Sequence, residues 1–202
     1  MRLLKATDSA ALKEAVRVLK AGGVVAYPTE TSYGLGASIE HLEAMSRIYL
    51  IKRRDTALPL LVLIAEISWL DDLVQEIPDE AHRLMTLWPG PLTLLFRARP
   101  GLPFHLVGPD GLIGVRISSH AFAHGLVTAL GRPLTATSAN LHGLPACHDA
   151  QEVMAQLRNP APDLVVDGGR SSGGLPSTIV DVSVQPFRVV RKGVLGKIDL
   201  FL

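Results

Sequence analysis

Tyr27-Pro28-Thr29-Glu30-Thr31-Ser32-Tyr33-Gly34-Leu35-Gly36 is the stretch on which the reading of this chain turns. Just before it, Gly23-Val24-Val25-Ala26-Tyr27 has the β-branched and aromatic content of a short buried strand. Pro28 has no N–H to donate and pushes Tyr27 towards extended backbone. Three hydroxyls (Thr29, Thr31, Ser32) and one carboxylate, Glu30, follow. The glycines at 34 and 36 allow positive φ or a close approach to a ligand. A strand that runs out into hydroxyls and glycines can build a polar pocket at a sheet edge, although an ordinary strand-to-helix loop has the same composition.

Outward from this stretch, strands alternate with helices. Asp8 is placed to cap a helix to about Lys20, with Leu12, Ala15, Val16 and Leu19 as its apolar stripe and Gly22-Gly23 as its stop. A second helix over about 40–51 carries Leu42, Met45, Ile48 and Tyr49, and delivers Lys52-Arg53-Arg54 to its C-terminal end, where cations suit the helix dipole. Pro59 to Ala65 reads as a buried strand and 66–75 and 79–87 as helical pieces. Trp88-Pro89-Gly90-Pro91 is a rigid turn with Trp88 as its anchor. Strands are predicted at 92–98, 112–117, 134–137, 164–166, 178–182 and 187–190. A helix over 120–130 is stopped by Gly131 and Pro133, and Asp149 with Glu152 forms a capping box. Gly168 to Gly174 reads as a mobile loop. No repeat or long linker interrupts the pattern, which predicts one α/β domain with a mixed sheet.

Composition narrows the class. A chain of 202 residues buries roughly 70% of its unfolded surface and needs neither disulfide nor metal to hold a core. With 48% hydrophobic but only 5% aromatic residues, that core is aliphatic. The lone Cys147 fits a reducing compartment, the first eight residues lack a secretory pattern, and the longest apolar run, 58–65, is too short to span a bilayer. A soluble cytoplasmic protein is expected, with no membrane association. A formal net charge of +1 is not the footprint of a dedicated nucleic-acid binder.

Common catalytic signatures are missing. Gly193-Val194-Leu195-Gly196-Lys197 has the wrong spacing for a P-loop, and the dinucleotide pattern begun at Gly34 fails at Ile39. His120 and His124 are four apart, a spacing that can hold a metal, but no third ligand is evident and no metal site is assigned. Ser138 has no partner base nearby. Arg116 lies in an apolar strand, where an unpaired cation is expensive, so it should meet an anion from the protein or from a substrate.

Seven blocks in order resemble one family: the 27–36 stretch, Lys52-Arg53-Arg54, Trp88-Pro89-Gly90-Pro91-Leu92-Thr93, Val115-Arg116-Ile117, Ser138-Ala139-Asn140, Ser177-Thr178-Ile179-Val180-Asp181 and Val190-Arg191-Lys192-Gly193. Their spacing is similar to that of the YrdC-like (TsaC) family over about residues 8–195, with 196–202 as a tail. The resemblance implies a twisted mixed sheet flanked by helices around a large basic cavity. It implies synthesis of threonylcarbamoyl-AMP and pyrophosphate from L-threonine, bicarbonate and ATP, for the t6A modification of tRNA. It also implies that Thr31, Arg116 and Ser177 contact threonine. Lys52, Arg54, Ser138, Asn140 and Arg191 would bind ATP, with Lys52 and Arg54 the catalytic pair. Mg2+ would be held mainly through ATP phosphates. A downstream threonylcarbamoyl transferase complex is an implied partner, and no general base is named. Leu58 and Leu63 stand where many members have Asn and His, and Ala146 stands where a serine contacts the nucleotide. The alternatives are a double-stranded RNA or tRNA-binding module, and a YciO-like paralogue with another small-molecule substrate.

Overall fold

Residues 27–36 form a hairpin. In the computed structural model, which describes residues 1–196, β1 (Arg2–Lys5) and α1 (Ala11–Lys20) lead to β2 (Val25–Pro28), which turns through Thr29–Ser32 into the antiparallel β3 (Tyr33–Gly36). The expected tail at 196–202 lies, from 197 on, outside the described residues. Neither Gly34 nor Gly36 has a positive φ; the missing Cβ is what matters there. Tyr27 stands opposite Gly34, and a Cβ on Gly34 would lie 3.0 Å from its ring. A Cβ on Gly36 would collide with the carbonyl oxygen of Thr135 on the far side of the strand. The two glycines therefore give up side-chain volume so that a tyrosine ring and a neighbouring backbone can close in.

Beyond the hairpin come α2 (Leu42–Lys52), β4 (Leu61–Leu63), a 3-10 turn at Ile67–Asp72, α3 (Ala81–Met85), β5 (Leu92–Arg97) and β6 (Leu112–Arg116). Then follow α4 (Ala121–Leu130), β7 (Leu134–Ser138), α5 (Ala150–Gln156), β8 (Leu164–Asp167), β9 (Thr178–Asp181) and β10 (Arg188–Arg191). The strands lie in one sheet in the order β1-β8-β2-β3-β7-β4-β6-β5-β9-β10. β8 runs parallel to β1 and β2, β4 to β6, and β5 to β9; the other pairs are antiparallel. Each face has its own core. On one, α1 and α4 pack Ala15, Leu19, Leu126 and Leu130 on Val25, Tyr27 and Leu134. On the other, Met45 and Ile48 of α2, Leu84 of α3 and Val153 of α5 pack on Tyr33, Leu35, Val62 and Val115.

Several expectations shift. Helix α1 starts at Ala11 without a side-chain cap; the Asp8 carboxylate instead accepts from the Lys5 N–H at 3.2 Å. Leu42 is exposed, so the buried stripe of α2 is Ala44, Met45, Ile48 and Tyr49. The helical pieces at 66–75 and 79–87 shrink to the 3-10 turn and the five residues of α3. Strand β1 lies ahead of the stretch that carries the family resemblance, yet pairs with β8 along its length. The capping box of α5 is present: Asp149 Oδ1 accepts from the Glu152 N–H (2.9 Å) and Glu152 Oε2 from the His148 N–H (2.7 Å).

Because β3 can reach β7 only where no Cβ intervenes, Gly36→Ala is expected to cost about 3 kcal/mol, the upper range for overpacking a tight core. Urea unfolding of the variant measures it; a loss below about 0.5 kcal/mol, the size of a neutral surface change, would show that β3 has room to spare.

Candidate active site

A cavity of about 550 Å³ opens on the α1/α4 face of the sheet, within the range of small-molecule sites. Strand order explains which residues reach it. β7 and β4 bring Thr137, Ser138, Leu61 and Leu63 to one wall, and β9 and β10 bring Ser177, Ile179 and Arg191 to the other. Arg116, ending β6, stands between them, and the hairpin loop adds Thr29, Thr31 and Ser32. Thr29 shapes that loop: its hydroxyl donates to the Ser32 carbonyl at 2.6 Å, accepts from the Thr31 N–H and lies 3.3 Å from the Thr31 hydroxyl.

Lys52 and Arg54, read together from sequence, are separated by the backbone. Arg53 closes α2 in the left-handed region at φ 50°. Lys52, the last helical residue, points inward, whereas Arg54 reaches the cavity wall. Its guanidinium donates from Nη1 to the Thr137 hydroxyl and from Nη2 to the Pro59 carbonyl, both at 3.0 Å. Lys52 is 2% exposed and does not line the cavity. Asn140 is also buried behind the wall, its Nδ2 donating to the carbonyls of Leu141 and Leu144. Of the expected contact residues, Thr31, Arg54, Arg116, Ser138, Ser177 and Arg191 share the cavity, and Lys52 and Asn140 stand behind it.

The anion that Arg116 requires is Glu30. Arg116 Nη2 lies 2.6 Å from Glu30 Oε1, and Nε donates to the Gly90 carbonyl at 3.0 Å. Glu30 also accepts from the Ser118 hydroxyl (2.6 Å) and the Ser119 N–H (3.0 Å), tying the hairpin loop to the end of β6. Burial alone would raise this carboxyl; the Arg116 charge and these hydrogen bonds outweigh it and hold the pKa at about 2. Sequence reading had Glu30 in hand without giving it a partner, because 86 residues separate it from Arg116. The requirement that Arg116 meet an anion was the available signal.

Arg191 is fixed through Ser177, donating from Nε to its carbonyl (3.0 Å) and from Nη2 to its hydroxyl (2.9 Å). Thr93 completes the group, 3.2 Å from the Ser177 hydroxyl. Burial and the nearby Arg116 charge both work against the Arg191 charge. Arg54 and Arg191 form no ion pair with a carboxylate among the described residues, and no carboxylate lines the cavity. The lining therefore presents positive charge and hydroxyl groups beside the apolar side chains of Leu61, Leu63, Ala136 and Ile179, a setting for an anion with an apolar part.

Other expectations resolve nearby. Leu63 and Ala146 line the cavity, while Leu58 is an exposed loop residue. His120 caps α4, its Nδ1 accepting from the Phe122 N–H at 3.2 Å, and the described residues contain no cluster of three metal-ligating side chains. The glycine-rich 168–174 loop is stitched down by Ser171 to His148 and by Ser172 to the Glu30 carbonyl.

Residues 17–193 match the profile of the Sua5/YciO/YrdC family, described as "Telomere recombination". The chain belongs to that family. Within the Sua5/YciO/YrdC family, a threonylcarbamoyl-AMP synthase of Vibrio cholerae is 38% identical over 185 residues, covering 90% of this chain and 97% of that protein. A synthase of the same name from Bacillus subtilis is 35% identical over 193 residues, but this chain spans only 56% of its length. Among solved structures, Pyrococcus abyssi Sua5 complexed with L-threonine superposes with a TM-score of 0.92 at 32% identity, over all of this chain and 60% of that one. Escherichia coli YciO superposes at 0.86 and 28% identity, over all of this chain and 97% of that one.

Because the Glu30 carboxyl is lower in the folded protein than its ordinary 4.5, its stabilisation is complete above that value and fades as pH falls towards about 2. Glu30→Gln is expected to cost about 2 kcal/mol at pH 7, a buried-pair loss discounted for partial exposure. The gap from wild type should narrow progressively as pH falls from 4.5 towards about 2. Urea unfolding at several pH values checks this, and a gap independent of pH would refute the ion-pair account.

Proposed function

We propose that this chain is a threonylcarbamoyl-AMP synthase, joining L-threonine, bicarbonate and ATP into threonylcarbamoyl-AMP with release of pyrophosphate. The observation that carries the reading is one cavity walled by Arg54, Arg116 and Arg191 with Thr31, Ser138 and Ser177. The chain around it parallels a relative of that name over 97% of the relative's length.

The chemistry suits these residue types. The threonine amine captures CO2 with loss of a proton, or bicarbonate with loss of water, and becomes a carbamate. A carbamate oxygen then attacks the α-phosphorus of ATP, the bond to the β-phosphate oxygen breaks, and pyrophosphate leaves with the electron pair. Such a transfer asks the protein mainly to align the reactants and to offset charge gathering on the phosphate oxygens. Arg116 is our candidate for the threonine carboxylate. Its Nε donates to the Gly90 carbonyl and its Nη2 is ion-paired with Glu30, while neither Nη1 nor Nη2 makes a hydrogen bond to the described residues. Thr31 and Ser177 flank it as neutral hydroxyl groups that orient without adding charge. Arg54 and Arg191, without carboxylate partners among the described residues, are the candidates for the polyphosphate, with Ser138 beside them.

With no carboxylate among the described lining residues, those residues do not form a cage for Mg2+. A magnesium ion accompanying ATP would be held by phosphate oxygens and water. The product is a reactive mixed anhydride that calls for a transferase to pass the threonylcarbamoyl group on to tRNA. We place this activity in the cytoplasm; among the described residues no helix is long and apolar enough to cross a membrane.

The test is ATP–pyrophosphate exchange by the purified chain, with the adenylate sought by mass spectrometry. Exchange is expected only with both threonine and bicarbonate present. Arg54→Ala should lower it at least a hundredfold, about 2.7 kcal/mol of transition-state stabilisation. Exchange indifferent to threonine would overturn the assignment.

A further inference from the structure

The Lys52 ammonium makes all its hydrogen bonds to a single turn. It donates to the carbonyl of Ser138, to the carbonyl of Asn140 at 2.8 Å and to the Asn140 side-chain oxygen at 3.3 Å. An ammonium has three donors, so three acceptors leave it none for a ligand. The carbonyl of Lys52 itself accepts from the His142 N–H at 2.7 Å, fastening the far end of the same turn to the end of α2.

A buried cation facing only neutral acceptors is expensive. Burial, reinforced by the charge of Arg54, pulls the Lys52 ammonium down to about 7. Aliphatic packing alone would be served better by leucine or methionine. What the ammonium adds is the course of the chain at 138–140. That turn begins at Ser138, the last residue of β7, which lines the cavity beside Thr137, the residue that holds the Arg54 guanidinium.

We propose that Lys52 is a positioning residue and not a phosphate ligand: it pins the Ser138–Asn140 turn and acts on the bound nucleotide only through Ser138. This rests on reading the cavity as a nucleotide site. It divides the two cations of the Lys-x-Arg block between different tasks, with Arg54 touching the ligand and Lys52 holding the wall.

The experiment is calorimetric binding of a non-hydrolysable ATP analogue to the full chain, for wild type, Lys52→Met, Ser138→Ala, the double variant of these two, and Arg54→Ala, at low and high salt. Lys52→Met is expected to weaken binding about tenfold with an unchanged salt dependence, whereas Arg54→Ala flattens it. The double variant should bind within about twofold of Ser138→Ala alone, since a residue that acts only through Ser138 adds nothing once that hydroxyl is gone. Losses that multiply, or a flattened salt dependence in Lys52→Met, would overturn the proposal. Failure of the wild type to bind the analogue would instead remove the nucleotide reading on which it rests.

A second measurement needs no variant at Lys52. Acetylation of the folded wild type by an N-hydroxysuccinimide ester, mapped by peptide mass spectrometry, should modify the exposed Lys5, Lys13 and Lys20 and spare Lys52, with or without the analogue. A Lys52 that is acetylated alone and protected by the analogue would show direct contact and defeat the proposal.

Discussion

Like charges must be held together without a ligand to neutralise them, and the construction of the cavity follows from that constraint. Arg116 is close enough to Arg191 to weaken the Arg191 charge, and Arg54 stands on the opposite wall. Of the three, only Arg116 has a carboxylate partner among the described residues, Glu30. The other two are held by neutral acceptors: Pro59 and Thr137 for Arg54, Ser177 for Arg191. Carbonyl and hydroxyl oxygens fix a guanidinium in space without cancelling its charge. The cavity keeps its pull on an anion because most of its tethers are uncharged.

That arrangement needs rigid attachment points on several strands, which the topology provides. The central strands β7, β4 and β6 are bonded on both sides. Thr137, Ser138 and Arg116 therefore ride on a fixed frame. The hairpin of β2 and β3 brings Glu30 across to the end of β6, and its packing on β7 relies on Gly36 having no side chain. A stretch that reads as a ligand-binding loop is thus also the brace that holds Arg116 in place.

The sequence made much of this legible because its strong signals are local. The strand before Pro28, the α2 stripe from Met45 to Tyr49 and the capping box at Asp149 each depend on neighbours within a few residues. Arg116 in an apolar strand gave a sound physical demand for an anion, but naming Glu30 needed the fold. Strand β1 escaped because it is a short, mostly exposed edge strand without a buried periodicity. The loop at 168–174 read as mobile from its glycines, yet its serines carry the bonds that fasten it to His148 and Glu30.

The hardest distinction was within Lys52-Arg53-Arg54. On an ideal helix two cations two residues apart point in different directions, about 200° round the axis. The question is then where the helix ends. Nothing in the sequence marks Arg53 as the residue that enters the left-handed region, since glycine or asparagine usually takes that place. Once it does, Lys52 remains on the helix and is buried, while Arg54 is turned out to the wall. Side-chain chemistry fits that division. A guanidinium can be tethered at some nitrogens and still present a charged, planar edge, whereas an ammonium tethered three times has nothing further to offer. The backbone sorts the two cations, and their hydrogen-bonding capacities make the sorting useful.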